Sequence, residues 1–67
     1  MMINRVRELR IESGITQDKF AEALQVTRQS VIAIEKNKYN PSLELALRIA
    51  AYFHCSVEEI FYLNVEN

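Results

Sequence analysis

Few residues in this chain are equipped for covalent chemistry. Of 67 residues, one is a cysteine, Cys55, and one a histidine, His54. A lone thiol forms no internal disulfide, and one Cys–His pair cannot complete a structural zinc site. His54 beside Cys55 reads as filler at a helix end. There are no paired carboxylates, no Ser–His set and, with a single glycine, no glycine-rich phosphate loop. The sequence therefore predicts neither an enzyme nor a metal or cofactor protein. What remains is the chemistry of cations and hydrogen-bond donors. Residues 1–41 carry Arg5, Arg7, Arg10, Lys19, Arg28, Lys36 and Lys38 against five carboxylates, an excess of two positive charges. Residues 42–67 carry Arg48 against four glutamates, an excess of three negative charges. The net charge of −1 hides this polarity, although anion binding responds to the local field.

The elements that position these cations follow from the punctuation. Helical spacing of Val6, Leu9 and Arg10 predicts a helix over residues 4–13, stopped by Gly14, which takes positive φ without strain. Thr16 reads as the N-cap of a second helix over 17–24, with Phe20, Ala21 and Leu24 as its apolar stripe. Thr27 caps a third over 28–36, so Gln25 and Val26 alone join the two and force a sharp angle. Asn37 is a plausible left-handed stop. Residues 38–41 form a loop, Ser42 caps a fourth helix over 43–53, and Ser56 with Glu59 makes a capping box for a fifth. From Phe61 to Glu66, apolar Phe61, Leu63 and Val65 alternate with Tyr62, Asn64 and Glu66, the period of a strand. A lone strand needs a partner, either Met1–Ile3 or the same strand of a second chain.

On the third helix, Val31 and Ile34 share the side toward the core, while Arg28, Gln29, Ile32, Ala33 and Lys36 share the opposite side. That outer face carries two cations, an amide and a large apolar residue. The fourth helix is apolar almost all round. Leu43, Ala46, Leu47, Ala50 and Phe53 make one stripe, and Leu45, Ile49 and Tyr52 a second. A small core does not easily cover both, which points to a homodimer with Leu45, Ile49, Tyr52, Phe61, Leu63 and Val65 as interface candidates. No segment approaches the roughly 20 apolar residues of a membrane span. No apolar signal core follows the N-terminus, and cysteine is scarce, so a soluble cytoplasmic protein of one domain, residues 1–67, is expected.

The run from Thr16 to Lys36, TQDKFAEALQVTRQSVIAIEK, resembles the helix-turn-helix of phage-repressor-like regulators of the Cro and Xre type. Its flanks agree: Val6–Arg10 before it, Asn37–Leu43 after it, and Ser56–Phe61 as a last helix. The resemblance spans about Arg5 to Phe61 and implies an all-α, five-helix DNA-binding domain, here with a short C-terminal strand. In this family the third helix enters the major groove with its first residues toward base edges. That implies base reading by Arg28, Gln29, Ile32 and Ala33, since Arg grips guanine, Gln grips adenine and apolar groups meet the thymine methyl. Ile32 serves equally as a protein contact. Gln17 and Thr27, at helix N-termini, and Ser30 become backbone or supporting contacts. Lys36, Asn37, Lys38, Tyr39 and Asn40 are expected along the phosphates, with Tyr39 otherwise a cover for the core edge. Ala21 sits where the two helices cross. Arg10 and Glu35 match positions that the family joins as a structural ion pair. The sequence departs from the family at Gln25, where glycine is usual, and at Ile32, commonly polar.

Two functions follow. The resemblance implies a transcriptional regulator, a repressor, whose homodimer occupies a palindromic double-stranded operator with recognition helices roughly 34 Å apart. The alternative is a protein-interaction module, such as the antitoxin of a toxin–antitoxin pair, whose acidic C-terminal portion binds its partner. A regulatory protein partner is compatible with both, and no effector pocket for a small molecule is expected.

Overall fold

The computed structural model describes residues 2–64. Its local structure follows from how each helix starts and stops. Strand β1 (Met2–Asn4) leads into α1 (Val6–Glu12), α2 (Gln17–Leu24), α3 (Arg28–Glu35), α4 (Leu43–Phe53), α5 (Val57–Ile60) and strand β2 (Phe61–Leu63). Side-chain oxygens of Thr16, Thr27 and Ser42 accept from Lys19 N, Ser30 N and Leu45 N, so each satisfies one orphan donor at the head of α2, α3 and α4. At α5, the Glu59 carboxylate accepts from both the backbone N–H and the hydroxyl of Ser56.

The first four helices end alike. Gly14, Gln25, Asn37 and His54 all adopt left-handed φ, between 56° and 71°. At each, the turning residue and the one after it donate back to the last turn, as Asn37 N does to Ile34 O and Lys38 N to Ala33 O. Gly14 and Asn37 are where the sequence places stops. Gln25 takes the conformation that its glycine-type position requires. His54 stands at a helix end, where the sequence places it, and there it turns the chain out of α4.

Val6, Phe20, Val31, Ile34, Ile49 and Ile60 are fully buried and come from all five helices. Each such side chain contributes about 1.5–3 kcal/mol by leaving water. Ala21, at 4% exposure, lets α2 and α3 approach closely. Strands β1 and β2 pair antiparallel, Ile3 opposite Tyr62, so the strand's partner is the chain's own N-terminus. The first helix begins at Val6 rather than Asn4, because residues 2–4 are drawn into that pairing. The fold is thus five helices with a small terminal sheet. The predicted strand residues 65 and 66 lie outside the described residues, as does Met1.

α4 divides differently from its two predicted stripes. Leu45, Ala46, Ile49 and Ala50 all face the core, and Phe61 joins them. Leu45, Ile49 and Phe61 are therefore not interface residues: a face that fills its own chain's core leaves no surface for a partner. Leu43, Leu47 and Leu63 remain exposed, and Tyr52 is partly so, its ring edge-on to Phe20 and Phe53. Val65, the remaining interface candidate, lies outside the described residues. Among the described residues no helix is long and apolar enough to cross a membrane.

Candidate nucleic-acid interface

α3 is held by Val31 and Ile34, both 1% exposed, which leaves its other face outward. Arg28, Gln29 and Lys36 are exposed on that face, and Ile32 and Ala33 are half-buried. The tight turn at Gln25–Val26 brings the starts of α2 and α3 together. Arg28, the first residue of α3, pairs with Asp18 in the first turn of α2, Nε to Oδ1 at 3.6 Å. Arg10, Thr16, Gln17, Asp18 and Arg28 line one notch. Two helix N-termini, two arginines and the Asp18 carboxylate therefore share one patch of surface. Free N–H groups and the positive ends of helix dipoles favour an anion there.

Not every predicted contact is equally free. The Gln17 amide donates to Glu35 Oε1 at 3.1 Å, so Gln17 is already committed within the fold. Thr27 Oγ1 accepts from Ser30 N at 3.2 Å and lies 3.1 Å from Ser30 Oγ, which makes these two hydroxyls a local lock on the first turn of α3. Beyond α3, Asn37, Lys38, Tyr39 and Asn40 are all exposed, Tyr39 at 46%, so its ring does not seal the core.

The position of α3 is set by two polar clamps. Arg10 Nε meets Glu35 Oε2 at 2.6 Å, Arg10 Nη2 meets Glu35 Oε1, and Arg10 Nη1 donates to the Ile15 carbonyl at 2.9 Å. With 11% and 2% of their side chains exposed, these charges are shielded from water and well satisfied. The second clamp was not legible in the sequence. Asn4 Nδ2 donates to Ile34 O at 2.9 Å and to Asn37 Oδ1 at 2.8 Å, while its Oδ1 accepts from Val6 N. One amide thereby joins β1, the start of α1 and the loop after α3. Arg48 was missed too: it donates to the Leu24 carbonyl at the end of α2 and pairs with Glu44. Asp18 likewise gave no signal, because an acidic residue in a first helical turn ordinarily serves the helix dipole alone. Among the described residues no cluster of His, Cys, Asp or Glu could hold a metal ion.

Comparison with known proteins agrees with this geometry. A helix-turn-helix family profile matches residues 6–60. An uncharacterized HTH-type transcriptional regulator of Bacillus subtilis, YgzD, is 50% identical over 66 residues, covering 98% of this chain and 100% of its own length. The cryptic phage CTXphi transcriptional repressor RstR of Vibrio cholerae is 27% identical over 60 residues, covering 90% of this chain and 54% of RstR. A crystal structure of a transcriptional regulator from Listeria innocua superposes with a TM-score of 0.81 at 28% identity, covering 92% of this chain and 59% of that one. With α3 so anchored and relatives so matched, the chain belongs to the Cro/Xre-type helix-turn-helix family of DNA-binding transcriptional regulators.

Proposed function

We propose that this regulator is a repressor, acting in the cytoplasm as a homodimer that sits on a palindromic operator with α3 of each copy in the major groove. The observation that carries the reading is the exposed Arg28–Gln29 edge of α3, set beside the N-terminus of α2 and backed by buried Val31 and Ile34. Arg28 and Gln29 offer the two side chains best suited to bidentate base contacts, and Ile32 and Ala33 offer apolar surface to thymine methyls. Lys36, Asn37, Lys38, Tyr39 and Asn40 follow at the end of the helix, where the phosphates would run. Gln17, Thr27 and Ser30 support these contacts from the helix starts. Residues 1–67 act as one DNA-binding unit, with the helix-turn-helix over about 17–36. Occupying promoter DNA suffices for repression, and the name of the RstR relative supports that direction.

The homodimer is supported by Leu43, Leu47 and Leu63, exposed at 72%, 53% and 65%. The exposed Glu58 and Glu59 of the acidic C-terminal portion favour a second reading in which the chain is the antitoxin half of a toxin–antitoxin pair, with a regulatory protein as partner.

Selection of bound fragments from a genomic library, followed by footprinting, tests the main reading. A palindromic site is expected, with half-sites roughly one DNA turn apart. Arg28→Ala with Gln29→Ala should abolish discrimination between that site and random DNA. Retention of full discrimination by this double variant would sink the assignment of α3 as the reading helix.

A further inference from the structure

The contact between Asp18 and Arg28 is not needed to hold the fold. Their side chains are 74% and 59% exposed, and so open an ion pair contributes little to stability. Its consequence is orientation. Asp18 Oδ1 faces the Nε edge of the Arg28 guanidinium. An arginine engaged on that edge keeps its two terminal nitrogens free, and these form the fork that grips adjacent acceptors on one guanine. Without a local counter-charge, the same flexible cation is drawn equally to any phosphate. Asp18 also places a negative charge in the notch it shares with Arg10, Thr16, Gln17 and Arg28, at the start of α2. That charge weakens every sequence-independent approach of DNA.

Resting on the reading of α3 as the base-reading helix, we propose that Asp18 is a positioning residue that sets sequence specificity: it holds the Arg28 guanidinium for a base edge and makes non-specific association weaker. The carboxylate gives up overall affinity and gains discrimination.

The test uses the full chain with Asp18→Asn, which keeps the shape and removes the charge, and Asp18→Glu, which restores the charge. Binding is measured to the operator selected by the unaltered protein and to a random duplex, across several salt concentrations. Asp18→Asn should bind random DNA more tightly and lose about threefold in the operator-to-random ratio, the scale of what an exposed ion pair can orient. Asp18→Glu should recover most of the ratio. In an Arg28→Ala background, Asp18→Asn should leave the ratio unchanged. Equal tightening on both DNAs would show generic repulsion of phosphate and overturn the proposal, as would a loss of ratio that persists without Arg28. A chain that selects no sequence at all would remove the DNA-reading premise instead, so the two failures are distinct.

Discussion

Arg10 in α1 and Glu35 at the end of α3 meet at 2.6 Å although they lie 25 residues apart in the chain. The pair, joined by the Gln17 amide, makes the start of α2 and the end of α3 answer to one buried carboxylate. Removing one partner of a shielded pair strands the other charge and costs about 3–5 kcal/mol. Arg10→Ala should therefore remove most of the stability of so small a domain, read as the loss of a folded baseline in urea titration. A double replacement, Arg10→Met with Glu35→Leu, should regain a cooperative transition, because no charge is then stranded.

The left-handed helix ends predict gains in stability. A non-glycine residue in that conformation costs about 1–2 kcal/mol, partly offset by the greater freedom of glycine in the unfolded chain. Gln25→Gly and His54→Gly should each raise the melting temperature by a few degrees, since 1 kcal/mol corresponds to about 4–8 °C at this domain size. Gly14→Ala should lower it through backbone strain alone, because a Cβ there would meet no atom within 4 Å. Calorimetry of the three variants checks the signs.

Asn4 predicts a loss at the loop after α3 and at the start of α1, where its Oδ1 accepts from Val6 N. Asn4→Ala removes both donors that hold Ile34 O and Asn37 Oδ1, at about 1 kcal/mol for each hydrogen bond. Hydrogen exchange at the Asn37 and Lys38 amides should quicken while amides in α4 keep their protection. DNA affinity should fall with little change in sequence preference, since the loop residues face the backbone in the proposed complex.

Lys36 and Lys38 should behave unlike Arg28. Each lysine-to-alanine change is expected to weaken binding to all sequences and to lower the salt slope by about one unit. Arg28→Ala should instead relax discrimination at one base position. Fluorescence anisotropy at several salt concentrations separates the two effects.

The exposed leucines predict how the chain assembles. Leu47→Glu should leave the helical signal unchanged, because Leu47 contributes nothing to the core, and should abolish any concentration-dependent mass in sedimentation equilibrium. Unaltered protein that remains monomeric at operator-binding concentrations would defeat the homodimer reading.

The sequence by itself determined the elements and one face of α3. Caps at Thr16, Thr27 and Ser42, stops at Gly14 and Asn37, and the spacing of Val31 and Ile34 are local signals, and local signals settle where helices begin, end and turn their apolar side. The order of those elements was enough to reveal the family. The spatial pairing of Arg10 with Glu35 came through that likeness, since spacing alone does not join residues so distant. Tertiary structure alone decided the rest. Whether Leu45 or Leu47 faces the core depends on what packs against α4, and a helix apolar on most sides does not state its own orientation. The docking of β2 on the N-terminal residues, the reach of Asn4 to Asn37 and the placing of Asp18 beside Arg28 depend on contacts between segments far apart in sequence. These contacts form only once the whole core has set the distance between elements.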